Sequence, residues 1–268
     1  MTRPRGDEEV ESFVNLLQQG SPSGLAQFES LTTAHQYGVL YGLVRRHVMP
    51  GAQVLDWGAG NGHFTFYLAQ LPIHVTAFSF GPAPGILSRL TAEQAHRVRH
   101  VQGAPNEAVK LPFADHSFDQ VFSVGVLEHV REHGGAEDQS LAEIRRVLRP
   151  DGLFICYHLP NRHSWIEAVA RTLQLGRVPP EPPDWPGYHR HRFDRAQIEA
   201  LFRGAGLSLI ELHAYGALPR QPFTSLPKAL RHARWLANLV NRCDRVLEGP
   251  LAALVQNWAV VARAERRA

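Results

Sequence analysis

The spacing of hydrophobic positions changes period several times along this chain, and the changes mark out its elements. Val10, Phe13, Val14 and Leu17 recur at helical spacing behind Asp7, Glu8 and Glu9, so residues 7–19 read as an amphipathic helix with its acids at the favourable end. Gly20-Ser21-Pro22-Ser23-Gly24 breaks it, and Tyr37, Leu40, Tyr41, Val44 and Val48 predict a second helix over 34–48, stopped by Pro50-Gly51. The period then shortens. Strands are expected at 52–57, 73–80, 97–102, 118–124 and 153–158, separated by helices at about 64–71, 84–95 and 137–148. The short, largely apolar run 118–124 has the character of a central parallel strand. Beyond it, helices are expected at 161–175 and 194–204, and strands at 207–214 and 257–263. This alternation implies an α/β fold, a doubly wound sheet with right-handed crossovers. Ligands of such sheets bind beyond the carboxyl ends of the strands, so the loops after 56, 79, 105, 124 and 158 would share one rim.

Composition narrows the class. The chain has 268 residues, 44% hydrophobic and 20% charged, enough for one large globular domain. A formal net charge of +3 is no strong nucleic-acid signature. Cys156 and Cys243 lack metal-ligand or CxxC spacing, both stand in apolar stretches, and both read as reduced packing residues suited to the cytoplasm. No apolar run approaches a membrane span, and residues 1–20 lack the character of a signal peptide.

The chemistry concentrates in Val54-Leu55-Asp56-Trp57-Gly58-Ala59-Gly60-Asn61-Gly62-His63-Phe64, a strand end, an acid, a glycine-rich turn and a helix start. Glycines at 58, 60 and 62 let a ligand lie against the backbone and tolerate positive φ. Loop N–H groups and the helix start favour a carboxylate, while Asp56 suits an ammonium group. Together they suit a zwitterionic amino-acid end. A dinucleotide fingerprint needs G-x-G-x-x-G, which this loop does not have.

Here the chain resembles the class I S-adenosylmethionine-dependent methyltransferases, whose first motif has this form. Leu111-Pro112-Phe113, Phe118-Asp119, Leu127-Glu128-His129-Val130 and Arg146-Val147-Leu148-Arg149-Pro150-Asp151-Gly152 look like further blocks of the small-molecule branch, which includes the ubiquinone and menaquinone enzymes. The likeness covers about 50–160 well and 188–212 loosely. It implies a Rossmann-like, seven-stranded sheet, mostly parallel with an antiparallel last strand, at 50–268, preceded by capping helices in 1–49. It also implies S-adenosyl-L-methionine held by Asp56, Gly58, Ala59 and Gly60, with Val124 ending the fourth strand beside it. Where the family places a carboxylate for the ribose hydroxyls this chain has Ser79, and Phe80 would pack beside the adenine. Counting back from Leu111 puts the adenine-reading residues at Glu107 and Ala108, after Asn106; counting forward from the third strand puts Gly103-Ala104 there instead.

Methyl transfer to oxygen chiefly needs positioning, a desolvated site and sometimes a base. His129, after the fourth strand, is the first candidate and His158, ending the fifth, the second. Residues 159–192 form the expected acceptor lid, with Trp165, His189 and His191 toward substrate and a rigid proline-rich run at 178–187. Glu128, His129, Glu132 and His133 lack a third ligand at metal spacing, so no metal is expected. A helical insertion at about 217–255 separates the last two strands. In it Lys228, Arg231, Arg234, Asn238, Arg242 and Arg245 form one stripe, and Leu226, Leu230, Ala233, Leu236, Ala237, Val240 and Leu247 another. The 225–247 stretch is thus a solvated basic face, or a contact for an anionic tail, a membrane surface or a partner subunit. The expected activity is methyl transfer to a small or lipid-like acceptor at oxygen. RNA or protein methylation and a non-catalytic interaction module are the alternatives.

Overall fold

The computed structural model describes residues 6–19, 25–104, 107–173 and 191–266. In chain order the elements are α1 (Asp7–Gln18), α2 (Leu31–Ala34), α3 (Gly38–His47), β1 (Gln53–Trp57), α4 (His63–Leu68), β2 (His74–Ser79), α5 (Ala92–His96), β3 (Val98–Gln102) and β4 (Phe118–Val124). There follow α6 (Glu137–Val147), β5 (Leu148–Pro160), α7 (Trp165–Thr172), α8 (Arg195–Gly204), β6 (Leu207–Tyr215), α9 (Lys228–Arg231), α10 (Arg234–Glu248) and β7 (Asn257–Ala264). One seven-stranded sheet has the order β3-β2-β1-β4-β5-β7-β6. The pairs β3–β2, β2–β1, β1–β4 and β4–β5 are parallel, and the sheet carries one antiparallel strand, as expected.

Three expected elements differ. The helix expected over 34–48 is α2 and α3, joined by a 3-10 turn at His35–Tyr37 that sends His35 inward, where its Nδ1 lies 2.9 Å from Asn241 Nδ2. The helix expected over 84–95 is a 3-10 turn, Gly85–Arg89, followed by α5. Thr91 restarts the chain: its hydroxyl accepts from the Gln94 N–H, and the Gln94 side chain accepts from the Thr91 N–H. That reciprocal cap has its sequence signature in Thr91-x-x-Gln94. Finally, Pro150-Asp151-Gly152 does not precede β5 but lies within it. Asp151 takes φ +63°, and the pairing with β4 shifts register between Phe118 and Gln120. The irregularity absorbs the turn-forming residues without ending the strand.

The chain forms two compact units. One comprises Met49–Arg162, Ala170–Leu212 and Trp258–Ala268, centred on the sheet. Leu55, Val121, Phe122, Ile155 and Cys156 are fully buried in its core. Several motif residues serve this frame and not a ligand. Arg146 donates to the carbonyls of Leu111 and Phe113 and to the carboxylates of Glu143 and Asp115, which ties the 111–115 segment to α6. Asp119 accepts from the Gln53 N–H and from Arg149, fastening the start of β1 to β4.

The other unit gathers Met1–Val48, His163–Val169 and His213–Asn257, so the helical insertion belongs with the N-terminal helices. Its α1 packs on α3 and its α2 on α10. At its centre Arg220, 8% exposed, donates to Asp244, Asn241 and the Thr32 carbonyl, while its own carbonyl accepts from the Thr33 hydroxyl. A buried charge is tolerable only with such complete pairing. The insertion is two helices and not one wheel, and its inner face includes Asn241 and Asp244. Cys156 is buried as expected, but Cys243 is exposed on α10. No helix among the described residues is long and apolar enough to cross a membrane.

Candidate functional site

The glycine loop leaves β1 with Gly58, Gly60 and Gly62 all at positive φ, +78°, +50° and +79°. Their uses differ. A Cβ on Gly58 would stand 2.4 Å from Val126 Cγ2, and one on Gly62 would stand 2.5 Å from Pro84 Cβ. Both glycines therefore permit close packing of the protein against itself. A Cβ on Gly60 would meet only the Gly58 carbonyl oxygen, at 3.8 Å, so this glycine faces open space. The N–H groups of Gly58 and Ala59 both donate to the Phe78 carbonyl at 2.9 Å, and that of Gly62 to the Ala59 carbonyl. Only the N–H groups of Gly60 and Asn61 lack an acceptor among the described residues. The anion-binding capacity expected of the whole loop thus narrows to its tip, and α4, six residues long, adds little dipole.

Asp56 is 1% exposed and sits beneath the loop. Its Oδ2 accepts from Thr65 Oγ1 at 2.5 Å, and the Thr65 backbone N–H also donates to it. Burial raises its pKa to about 6, against the lowering effect of those two bonds. In this geometry Asp56 fixes the turn between β1 and α4 through Thr65.

Ser79 ends β2, and its Oγ lies 2.9 Å from His100 Nε2 and donates to the Gly81 carbonyl at 3.2 Å. If the hydroxyl hydrogen serves Gly81, the imidazole N–H must donate to Ser79. His100, one strand over on β3, was not anticipated, and nothing in sequence spacing pairs it with position 79. Phe80 is half-buried, its ring 5.7 Å from that of Phe78 and 6.1 Å from the His133 ring. Gly103 stands hard against both phenylalanines, where a Cβ would be 2.7 Å from Phe78. Glu107 is exposed and Ala108 half-buried; Asn106 lies outside the described residues.

The carboxyl ends of β4 and β5 hold the candidate bases. After Val124, Gly125 takes φ +71° and donates to the Tyr157 carbonyl. The 3-10 turn Leu127–His133 then presents His129, whose Nδ1 lies 3.0 Å from Glu132 Oε2. A carboxylate at Nδ1 holds the tautomer that leaves Nε2 as the acceptor. His158 is near enough for the charge of His129 to bear on it. Burial first, and His129 second, lower the His158 pKa to about 4, so it is neutral at physiological pH. It also takes φ +77°, which costs a non-glycine residue of order 1–3 kcal/mol and tends to mark functional positions. Sequence had named both histidines; the structure brings them together. Glu128 is 1% exposed, and burial pushes its pKa to about 8, helped by the Glu132 charge and opposed by its own backbone N–H. A carboxyl kept protonated is a poor metal ligand. No group of three or more metal-binding side chains occurs among the described residues.

The substrate residues are less assembled. His189 and the 178–187 run lie outside the described residues. His191 lines an open groove of about 990 Å³ along α6 and α8, with Arg131, Arg162 and Phe193. Trp165 belongs to the helical unit, where its indole N–H donates to the Ala217 carbonyl at 2.9 Å.

Residues 55–156 match a family model described as a methyltransferase domain. The chain is 31% identical over 168 residues to the O-methyltransferase rstn1 of Aspergillus nomiae, covering 60% of this chain and 66% of that protein. It is 27% identical over 175 residues to the ubiquinone biosynthesis O-methyltransferase of Maricaulis maris, covering 63% and 64%. Both alignments span just under two thirds of the relative's length. Among solved structures, the 1,6-didemethyltoxoflavin-N1-methyltransferase of Burkholderia thailandensis, with bound S-adenosylhomocysteine, superposes with a TM-score of 0.50 at 17% identity, covering 97% of this chain and 85% of that one. Residues 55–156 are a methyltransferase domain, and with the glycine loop, the strand order and the ordered motif blocks already established, the chain is similar to the class I S-adenosylmethionine-dependent methyltransferases.

Proposed function

We propose that the protein methylates an oxygen atom of a small or lipid-like acceptor, with His129 as the base. The observation that carries this is the His129–Glu132 pair at 3.0 Å, a carboxylate-oriented imidazole at the carboxyl end of β4. The residues present suit the cofactor. The exposed Gly60 and the N–H groups at the loop tip fit a carboxylate, Ser79 a ribose hydroxyl, and Phe80 the adenine face. Bound there, S-adenosylmethionine supplies a methyl group already activated on a sulfonium, so this chain's residues need only position the acceptor, exclude water and take one proton. Neutral His158, beside His129, adds a hydrogen-bonding group without a second positive charge to repel the sulfonium. The names of the fungal and bacterial relatives, both O-methyltransferases, support oxygen as the target.

The test is transfer of labelled methyl to matched acceptors that differ only in a ring hydroxyl or a ring amine. Methyl ether formation on the hydroxyl series alone is expected. Preferential labelling of amines, RNA or protein would overturn the oxygen assignment.

A second measurement addresses the ribose. Ser79→Asp places a carboxylate beside His100 and should tighten S-adenosylhomocysteine binding about five- to tenfold, because a hydrogen bond to a charged acceptor is worth roughly 1 kcal/mol more than a neutral one. Unchanged or weaker calorimetric affinity would mean the ribose is held elsewhere.

A further inference from the structure

Helix α10 carries two polar groups inward and three large apolar groups outward. Its buried positions are Ala237, Val240, Asn241 and Asp244, the last two paired with Arg220. Trp235, Leu239 and Val246 point to solvent, exposed at 63%, 52% and 68%. At 3.6 residues per turn these three fall within roughly 40° of arc, a single stripe along the helix. Arg242 lies in the same stripe, and Arg234 and Arg245 border it on one side. Among its exposed residues α10 has no Asp or Glu.

The arginines are not consumed by the fold. Arg234 pairs with Glu11 of α1 at 3.0 Å and Arg245 approaches Asp7 at 3.7 Å, yet their side chains stay 69% and 43% exposed. Arg242 makes no ion pair among the described residues. Scattered exposed apolar residues need no explanation, but three aligned on one helix face, one of them an indole, do.

We propose that this face of α10 seats in the surface of an anionic lipid bilayer. An indole partitions to the headgroup level, where Leu239 and Val246 would reach the acyl boundary and the guanidinium groups would meet lipid phosphates. The helix would lie in the interface, since no described helix is long and apolar enough to span. The single-sign charge decides against the other natural occupant, a second copy of this chain. A two-fold contact through the stripe would bring Arg242 of both copies to one seam, with no Asp or Glu among the exposed residues of α10 to answer it.

Sedimentation of the full chain with vesicles tests this. Vesicles of equal parts phosphatidylcholine and phosphatidylglycerol should bind about tenfold more protein than phosphatidylcholine alone, and added salt should weaken the binding. The variant Trp235→Ser/Leu239→Ser/Val246→Ser should lose that binding while keeping wild-type affinity for S-adenosylhomocysteine, which certifies its fold. Arg242→Glu should lower binding to the charged vesicles only. Absence of wild-type binding to charged vesicles, or undiminished binding by the triple variant, overturns the proposal. So does a wild-type dimer in sedimentation equilibrium that the triple variant converts to monomer.

Discussion

Gly58→Val should lose measurable S-adenosylhomocysteine binding and destabilise the protein by roughly 3–5 kcal/mol. The new Cβ would stand 2.4 Å from Val126 Cγ2 and 2.9 Å from Val126 Cγ1, and φ at 58 is +78°. Overpacking costs about 1–3 kcal/mol, and a β-branched residue forced into left-handed backbone adds a comparable amount. The loop's anchor would move with it, because the N–H groups of Gly58 and Ala59 both rest on the Phe78 carbonyl. The damage is thus to the protein's own packing, transmitted to the ligand. Gly60→Ala is the control: its Cβ meets open space, so only about 1–2 kcal/mol of backbone strain is expected. Calorimetric titration and thermal melting of the two variants check this. Wild-type melting and affinity in Gly58→Val would remove the loop from the cofactor site.

His129→Ala should lower the methyl-transfer rate about 10²–10⁴-fold while leaving S-adenosylhomocysteine affinity nearly intact, the usual size of a lost general base. Glu132→Gln should give a smaller loss in the same direction, because it weakens the hold on Nδ1 without removing the ring. His158 is a poor substitute base, since its pKa near 4 gives it little affinity for the proton. Single-turnover rates separate these effects from product release. Full activity in His129→Ala would mean the acceptor arrives deprotonated or loses its proton elsewhere.

Much of this was legible in the amino-acid order, and the exceptions have physical causes. Phe118–Val124 was read to the residue, because a buried strand flanked by turn signals has sharp ends. The doubly wound, mostly parallel sheet followed from the alternation of elements and the family likeness, and the glycine loop from its spacing. The division of labour within the loop did not. Whether a glycine at 58, 60 or 62 faces Val126, open space or Pro84 depends on residues 22 to 68 positions away, which no local pattern records. The same holds for Ser79 and His100, joined only by the pairing of β2 with β3. On α10 the apolar stripe holds Ala237 and Val240, which are buried, but not Asn241 and Asp244, which the buried Arg220 draws inward beside them. Arg146 and Asp119 show that residues which mark the family can serve the frame.

The helical unit has a consequence for how the chain is made. It draws on three stretches separated by residues 49–162 and 170–212, which carry most of the sheet. Synthesis delivers α1, α2 and α3 long before Arg220, Asn241 and Asp244 leave the ribosome. Until then Thr32, Thr33 and His35 lack the partners that satisfy them in the finished fold. Contacts of such sequence separation form slowly and late. The N-terminal helices are therefore translated well before their partners and are among the last elements to settle.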